Sequence, residues 1–97
     1  MASESSIKRM ALHESSFMLQ EKRISVQVSP GLGGVSVTKV RPGGAAEAGG
    51  IRATDKIVGI GEEHRFGAAS WVESRDFQQK LSACGRPVKV RRLFRIS

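Results

Sequence analysis

The sequence predicts one small domain that is mainly β with two helices. Two runs rich in β-branched residues, Val35–Val40 and Lys56–Ile60, have the composition of half-buried strands. A short helix-forming segment, Ala45–Ala48, lies between them, after a Pro-Gly-Gly turn and before a Gly-Gly break. Phe77 and Leu81 recur at helical spacing later in the chain, which predicts a second, longer helix.

An earlier hairpin is predicted on the N-terminal side of these elements. Ile24–Val28 alternates apolar and polar residues and should be a strand, joined to Val35–Val40 by the turn Ser29–Gly34. Antiparallel pairing across this turn predicts Val28 opposite Val35. The first apolar cluster is residues 17–19. We therefore expect residues 1–15 to be a flexible extension and residues 16–97 to form the domain.

The second helix and the final strand have clear local signals. Ser70-x-x-Glu73 is a capping-box pattern, so a helix over residues 71–84 is predicted to begin after Ser70. Gly85 and Pro87 end it. A last strand follows, with one apolar face made by Val88, Val90, Phe94 and Ile96.

Composition limits the class of protein. The 97 residues contain no apolar run near the roughly 20 needed to cross a bilayer, and the N-terminus has no long apolar segment typical of a signal peptide. One cysteine cannot form an internal disulfide. We therefore expect a cytoplasmic monomer, with association to membrane or cytoskeleton as an alternative.

The net charge of +7 is unevenly distributed. Residues 25–84 carry seven basic and six acidic side chains, whereas residues 85–97 carry five basic and none that is acidic. A basic stripe attracts acidic peptides, lipid headgroups or nucleic acid. It can also simply protect a sheet edge from pairing with another sheet.

The region from Gly34 to Ile57 resembles a PDZ domain. In the family pattern, a glycine is followed by an alternating strand, Pro-Gly-Gly-Ala-Ala, a short helix and Gly-Φ-x-x-x-Asp-x-Ile. Residues 34–46 match the first part of this pattern, and Gly50, Ile51, Asp55 and Ile57 match the last part. Two departures are Thr54, at a position where the family usually has glycine, and an additional glycine in Gly49-Gly50. The resemblance implies a partly open barrel or sandwich of five or six strands and two helices.

The resemblance also implies a function. PDZ domains bind partner proteins and are not enzymes; they take up a C-terminal or internal extended peptide as an additional strand between the second strand and the second helix. Such scaffold modules act in signalling. The strand Ile24–Val28 and the helix 71–84 would flank this site. The implied peptide-binding residues are Lys22, Arg23, Ile24, Ser25, Val26, Gln27, Val28, Ser74, Phe77, Gln78 and Leu81.

The family's carboxylate-binding loop must precede two strands, which excludes the glycine-rich turn at residues 31–34. Its place is then Glu21-Lys22-Arg23, which contains no glycine. Lys22 would stand at the position of an apolar pocket residue and Arg23 at that of a glycine. A second register would make Ser16–Leu19 the loop and put the first strand near Met10 and Leu12.

Other functions have weaker support in the sequence. Anionic lipid binding is an alternative, through Lys89, Arg91, Arg92 and Arg95; a regulatory domain within a larger protein, such as a protease, is another. We expect no cofactor, catalytic residue or metal site, because the two histidines are far apart and lack ligand spacing. A nucleic-acid partner is not expected, since the basic strand offers only Phe94 for stacking.

Overall fold

The computed structural model describes residues 12–61 and 65–95, and within these ranges the chain forms strands and two helices around one core. The predicted class, mainly β with two helices, is confirmed. The elements in chain order are β1 (Leu12–Leu19), β2 (Val26–Ser29), β3 (Gly31–Leu32), β4 (Val35–Val40), α1 (Ala45–Ala48), β5 (Lys56–Ile60), β6 (Trp71–Val72), α2 (Ser74–Ala83) and β7 (Val88–Arg95).

Among the described residues, the main sheet has five strands in the order β1-β7-β5-β4-β2, and β3 pairs with β6 in a separate ribbon. β1 runs antiparallel to β7, from Leu12 opposite Arg95 to Leu19 opposite Val88. The expected domain boundary at residue 16 therefore falls inside β1, and Leu12–Ser15 are strand rather than extension. Residues 1–11, the rest of that predicted extension, lie outside the described ranges.

The hairpin of β2 and β4 forms, but its predicted register is wrong by two residues at Val28 and by three at Val26. Val28 lies opposite Val37 rather than Val35, and Val26 lies opposite Val40, with a bulge between Gln27 and Val28. The connecting segment is longer than a simple turn because its residues 31–32 make their own pairing with β6. Glycine is required within it: a Cβ on Gly34 would lie 2.2 Å from the carbonyl oxygen of Ile57.

The helix α2 begins at Ser74, not after Ser70 as the capping-box pattern predicts. Glu73 is its N-cap and makes no side-chain capping bond. Trp71 and Val72 are instead drawn into β6, and the carbonyl of Ser70 accepts a hydrogen bond from the N–H of Gly33 at 2.6 Å. Strand pairing with a distant segment thus overrides the local capping signal.

The core lies between the main sheet and the helices. Its largest fully buried side chains are Phe77, Leu19, Ile57, Ile60, Val35 and Val90. Phe77 and Leu81 form the buried stripe of α2, as their spacing predicts. Ile96, expected on the apolar face of the last strand, lies outside the described ranges.

Both departures from the family pattern lie in the segment between α1 and β5. Thr54 has φ of 83°, the left-handed region where a β-branched residue is strained and glycine is favoured. Gly49 leaves room for β1, since a Cβ there would lie 2.6 Å from the ring of Phe17. Asp55 is buried, accepts a hydrogen bond from the N–H of Arg52 at 2.9 Å and pairs with Arg92 at 2.5 Å.

Candidate functional site

The strand β2 has one open edge. It is the last strand of the main sheet and pairs only with β4 within the described ranges. Ser25 and Gln27 direct their carbonyl oxygens to the β4 side, where they accept bonds from Arg41 and Thr38 at 3.1 Å each. Alternate residues of a strand point their polar backbone groups to opposite sides. The backbone groups of the two valines of β2 therefore point to the open edge.

The helix α2 lies across from this edge. At the outer end of the intervening groove, the Ser74 hydroxyl donates a hydrogen bond to the carbonyl of Val28 at 3.3 Å. Towards the other end the groove widens into a cavity of about 650 Å³. The cavity is lined by Lys22, Arg23, Ile24, Ser25, Val26, Gln27, Lys39, Arg41, Pro42, Gln78, Leu81 and Ser82.

The segment before β2 closes the inner end of the groove. Ile24 is buried, and its carbonyl accepts a hydrogen bond from the N–H of Ala46 in α1 at 3.1 Å. Ser25 has φ of 64°, so the left-handed residue of this loop is Ser25. The placement of Arg23 at the position of a family glycine stays a prediction.

A single arginine holds this loop against α2. The guanidinium of Arg86 donates to the carbonyls of Glu21 at 2.7 Å and Lys22 at 2.8 Å. It also donates to the carbonyls of Leu81 at 3.0 Å and Cys84 at 2.8 Å, at the end of the helix. Arg86 therefore joins the two walls at the inner end of the groove, as Ser74 does at the outer end.

The groove is strongly basic at this inner end. Lys22, Arg23, Lys39 and Arg41 are all exposed around the cavity, and none of the described residues that line it is acidic. Lys39 lies opposite Gln27 in the β2–β4 register. The four cations attract an anion most strongly where they converge, at the junction of the loop with β2 and β4.

Comparison with known proteins identifies the family. The model of the PDZ domain family matches residues 8–90. The chain belongs to the PDZ family. The PDZ2 domain of Dlg1 from the choanoflagellate Monosiga brevicollis has a similar structure, with a TM-score of 0.65 and 13% sequence identity over 82% of this chain and 90% of that chain. No curated protein matches the chain.

PDZ domains are non-catalytic protein–protein interaction modules, and the expected groove residues of this PDZ domain can now be located. Eight of the eleven line the cavity: Lys22, Arg23, Ile24, Ser25, Val26, Gln27, Gln78 and Leu81. Val28 and Ser74 meet at its outer end. Phe77 is fully buried in the core and does not line the cavity.

Sequence reasoning missed four lining residues of the PDZ groove and the arginine that joins its walls. Lys39, Arg41 and Pro42 belong to the end of β4 and the turn after it, and Ser82 belongs to α2. Lys39 lies opposite the predicted groove residue Gln27, but the prediction took only β2 and α2 as walls of the groove and not the neighbouring strand β4. No local pattern points to Arg86, whose partners in the loop are more than 60 positions away.

The basic residues of β7 do not form a uniform surface. Arg92 is turned inward to Asp55, with 15% of its side chain exposed, and its guanidinium lies 4.5 Å from the centre of the Phe94 ring. Arg91 and Lys89 are half-buried, and only Arg95 is exposed. Of the four residues considered for lipid binding, at least one therefore has a structural role.

The described residues contain neither a membrane-spanning helix nor a metal-like cluster. No helix among them is long and apolar enough to cross a bilayer. No group of three or more His, Cys, Asp or Glu in these ranges could hold a metal ion. Trp71, exposed over 60% of its surface, borders a second depression on the other side of α2 and lies outside the groove cavity.

Proposed function

We propose that this PDZ domain binds the C-terminal segment of a partner protein as an additional strand on β2. The observation that carries the proposal is the open edge of β2, which faces α2 across a groove. Main-chain hydrogen bonds to an edge strand supply affinity that does not depend on peptide sequence, and alternate side chains supply selectivity. β2 has four residues, so it can pair with roughly 13 Å of peptide, or about four residues.

The peptide's terminal carboxylate would lie at the inner end of the groove. The cations there favour a negative charge, and the wall contributed by Leu81 is apolar enough to receive a terminal aliphatic side chain. A peptide running antiparallel to β2 would then extend towards Val28 and Ser74. To pair along its whole length, it would have to displace the Ser74 hydroxyl from the Val28 carbonyl.

Acidic peptides are the partner class that the charge favours. Side chains of an added strand alternate between the two faces of the sheet. Those on the face that carries Gln27 and Lys39 would come close to Lys39 and Arg41. Aspartate or glutamate at these alternate positions would be attracted, whereas lysine or arginine would be repelled. Because the contact area is small, micromolar affinity is expected.

The proposal is tested by titrating labelled protein with short C-terminal peptides and following backbone amide shifts. A matched set would vary only the alternate positions, from glutamate to glutamine to lysine, and each peptide would be prepared as free acid and as amide. We expect shifts at residues 22–28 and along α2, and tighter binding of the acidic free-acid peptide. Shifts confined to other regions, or equal binding of acid and amide forms, would contradict the proposal.

Charge-neutralising variants distinguish selectivity for acidic side chains of the peptide from selectivity for its free terminal carboxylate. Lys39→Gln with Arg41→Gln should reduce the preference for acidic over neutral peptides more than the preference for a free carboxylate, because Lys22 and Arg23 remain at the inner end of the groove. Arg75→Gln with Arg95→Gln is the matched control, because both are exposed cations that do not line the cavity. A loss of acidic preference in the control as large as in the test variant would indicate a general charge effect instead.

A further inference from the structure

We infer that Arg86 is the positioning residue of the groove, and that it fixes the inner end in a shape able to receive a carboxylate. The inference rests on the proposed peptide function. It starts from the four carbonyl oxygens that accept bonds from Arg86, two in the loop before β2 and two at the end of α2. Each of its nitrogens is thus committed to the backbone, and Arg86 does not itself line the cavity.

The chemistry of arginine suits this position. The last carbonyls of a helix have no partner within the helix, and the Leu81 carbonyl belongs to that set. A planar guanidinium offers five N–H donors in a fixed fork, so it can bind carbonyls on two sides at once. Lysine has a single nitrogen and cannot span the same four oxygens. The distance between the loop and α2 therefore depends on Arg86.

The bonds to Arg86 also set the direction of the loop amides. In a trans peptide the N–H points away from the preceding carbonyl. Since the carbonyls of Glu21 and Lys22 face Arg86, the N–H groups of Lys22 and Arg23 face away from it. Within the described part of the chain, no hydrogen bond has its donor at the N–H of Lys22, Arg23 or Ile24. Successive unpaired amides in a fixed orientation are a binding site for an anion.

Residues 20–23 of the loop are exposed, so burial of their own side chains does little to order the loop. Residues 20–25 are Gln-Glu-Lys-Arg-Ile-Ser. Without the bonds to Arg86, this segment would have to be ordered when the peptide binds, and ordering a loop reduces affinity. Arg86 would thus supply in advance the rigidity that the proposed carboxylate site needs.

The test compares Arg86→Gln and Arg86→Lys with wild type, using Arg75→Gln as the control of equal charge change. Dissociation constants are measured for one acidic peptide as free acid and as amide. We expect Arg86→Gln to weaken binding of the free acid by about 3- to 10-fold and to change binding of the amide much less. Arg86→Lys should fall between, because it keeps the charge without the fork. Melting temperatures establish that each variant is folded.

A second readout does not need a peptide. Backbone ¹⁵N order parameters at residues 22–25 should lie near about 0.85 in wild type and fall towards roughly 0.6 or below in Arg86→Gln, with no change in Arg75→Gln. Arg86→Lys provides the same readout if Arg86→Gln does not fold.

The outcomes distinguish the claim that Arg86 fixes the loop from the claim that the groove binds a C-terminal peptide. Unchanged order parameters in the Arg86 variants, or equal weakening of acid and amide peptides, would overturn the role of Arg86. If wild type shows no preference for a free carboxylate, the proposed function fails instead, and the order parameters alone then decide whether Arg86 fixes the loop.

Discussion

The buried pair of Asp55 and Arg92 should be one of the largest electrostatic contributions to the stability of the domain. Asp55 is 4% exposed and accepts hydrogen bonds from the Arg52 N–H and from the Arg92 guanidinium. Replacing Asp55 with asparagine keeps the shape and one acceptor oxygen but removes the charge. Arg92, whose side chain is largely buried, would then lose its counter-ion, although it would keep its contact with the ring of Phe94.

The expected loss follows from these contacts. Hydrogen bonds to charged groups are each worth about 1.5–3 kcal/mol, and breaking a fully buried pair costs about 3–5 kcal/mol. Because 15% of the Arg92 side chain remains exposed and the amide can still accept from Arg52, we expect Asp55→Asn to lower the free energy of unfolding by about 2 kcal/mol. For a domain of this size, that corresponds to a melting temperature lower by roughly 8–16 °C.

The free energy of unfolding is measured by urea denaturation. Its slope against urea concentration is compared between variants. The matched control is Glu14→Gln, which removes the exposed pair of Glu14 with Arg65, whose side chains are 35% and 55% exposed. That pair should contribute less than about 1 kcal/mol. A double-mutant cycle of Asp55→Asn with Arg92→Met should give a coupling of about 1–2 kcal/mol. Equal losses for the Asp55 and Glu14 variants at unchanged slope would refute the reasoning.

Three further outcomes are expected. Thr54→Gly should raise the free energy of unfolding by about 0.5–1 kcal/mol, because it relieves the left-handed φ of 83°; a lower midpoint in urea would contradict this. Gly34→Ala should lower the melting temperature by several degrees, since its Cβ would approach the Ile57 carbonyl to 2.2 Å. An unchanged thermal transition would show that β5 can shift to make room for the Cβ. Raising NaCl from 50 to 500 mM should weaken binding of an acidic free-acid peptide more than that of a neutral peptide amide, as fluorescence anisotropy would show; parallel weakening would exclude the charge argument.

The central part of the fold could be predicted because its signals are local. The short helix Ala45–Ala48 and the strands on either side of it occur where the sequence indicates. Each is defined by adjacent residues: valines that alternate, a proline that ends a strand and glycines that end a helix. The burial of Phe77 and Leu81 follows in the same way from their helical spacing.

The elements that differ from prediction depend on contacts between distant segments. The pairing of residues 31–32 with β6 lengthens the connection and shifts the β2–β4 register by two residues, and a bulge between Gln27 and Val28 adds one more at Val26. Nothing in the alternation of either strand reveals these changes. Likewise, the start of α2 moved to Ser74 because Trp71 pairs with Leu32, a partner chosen by the tertiary structure.

The pairing of β1 with β7 brings the two ends of the described chain side by side. Leu12 lies opposite Arg95, and the groove loop begins just after Leu19, about 23 Å further along the same strand. A short linker between these ends should therefore permit circular permutation, with new termini opened in a surface turn. A reporter fused at either end would likewise be held well away from the loop, so binding could be monitored without obstructing the groove.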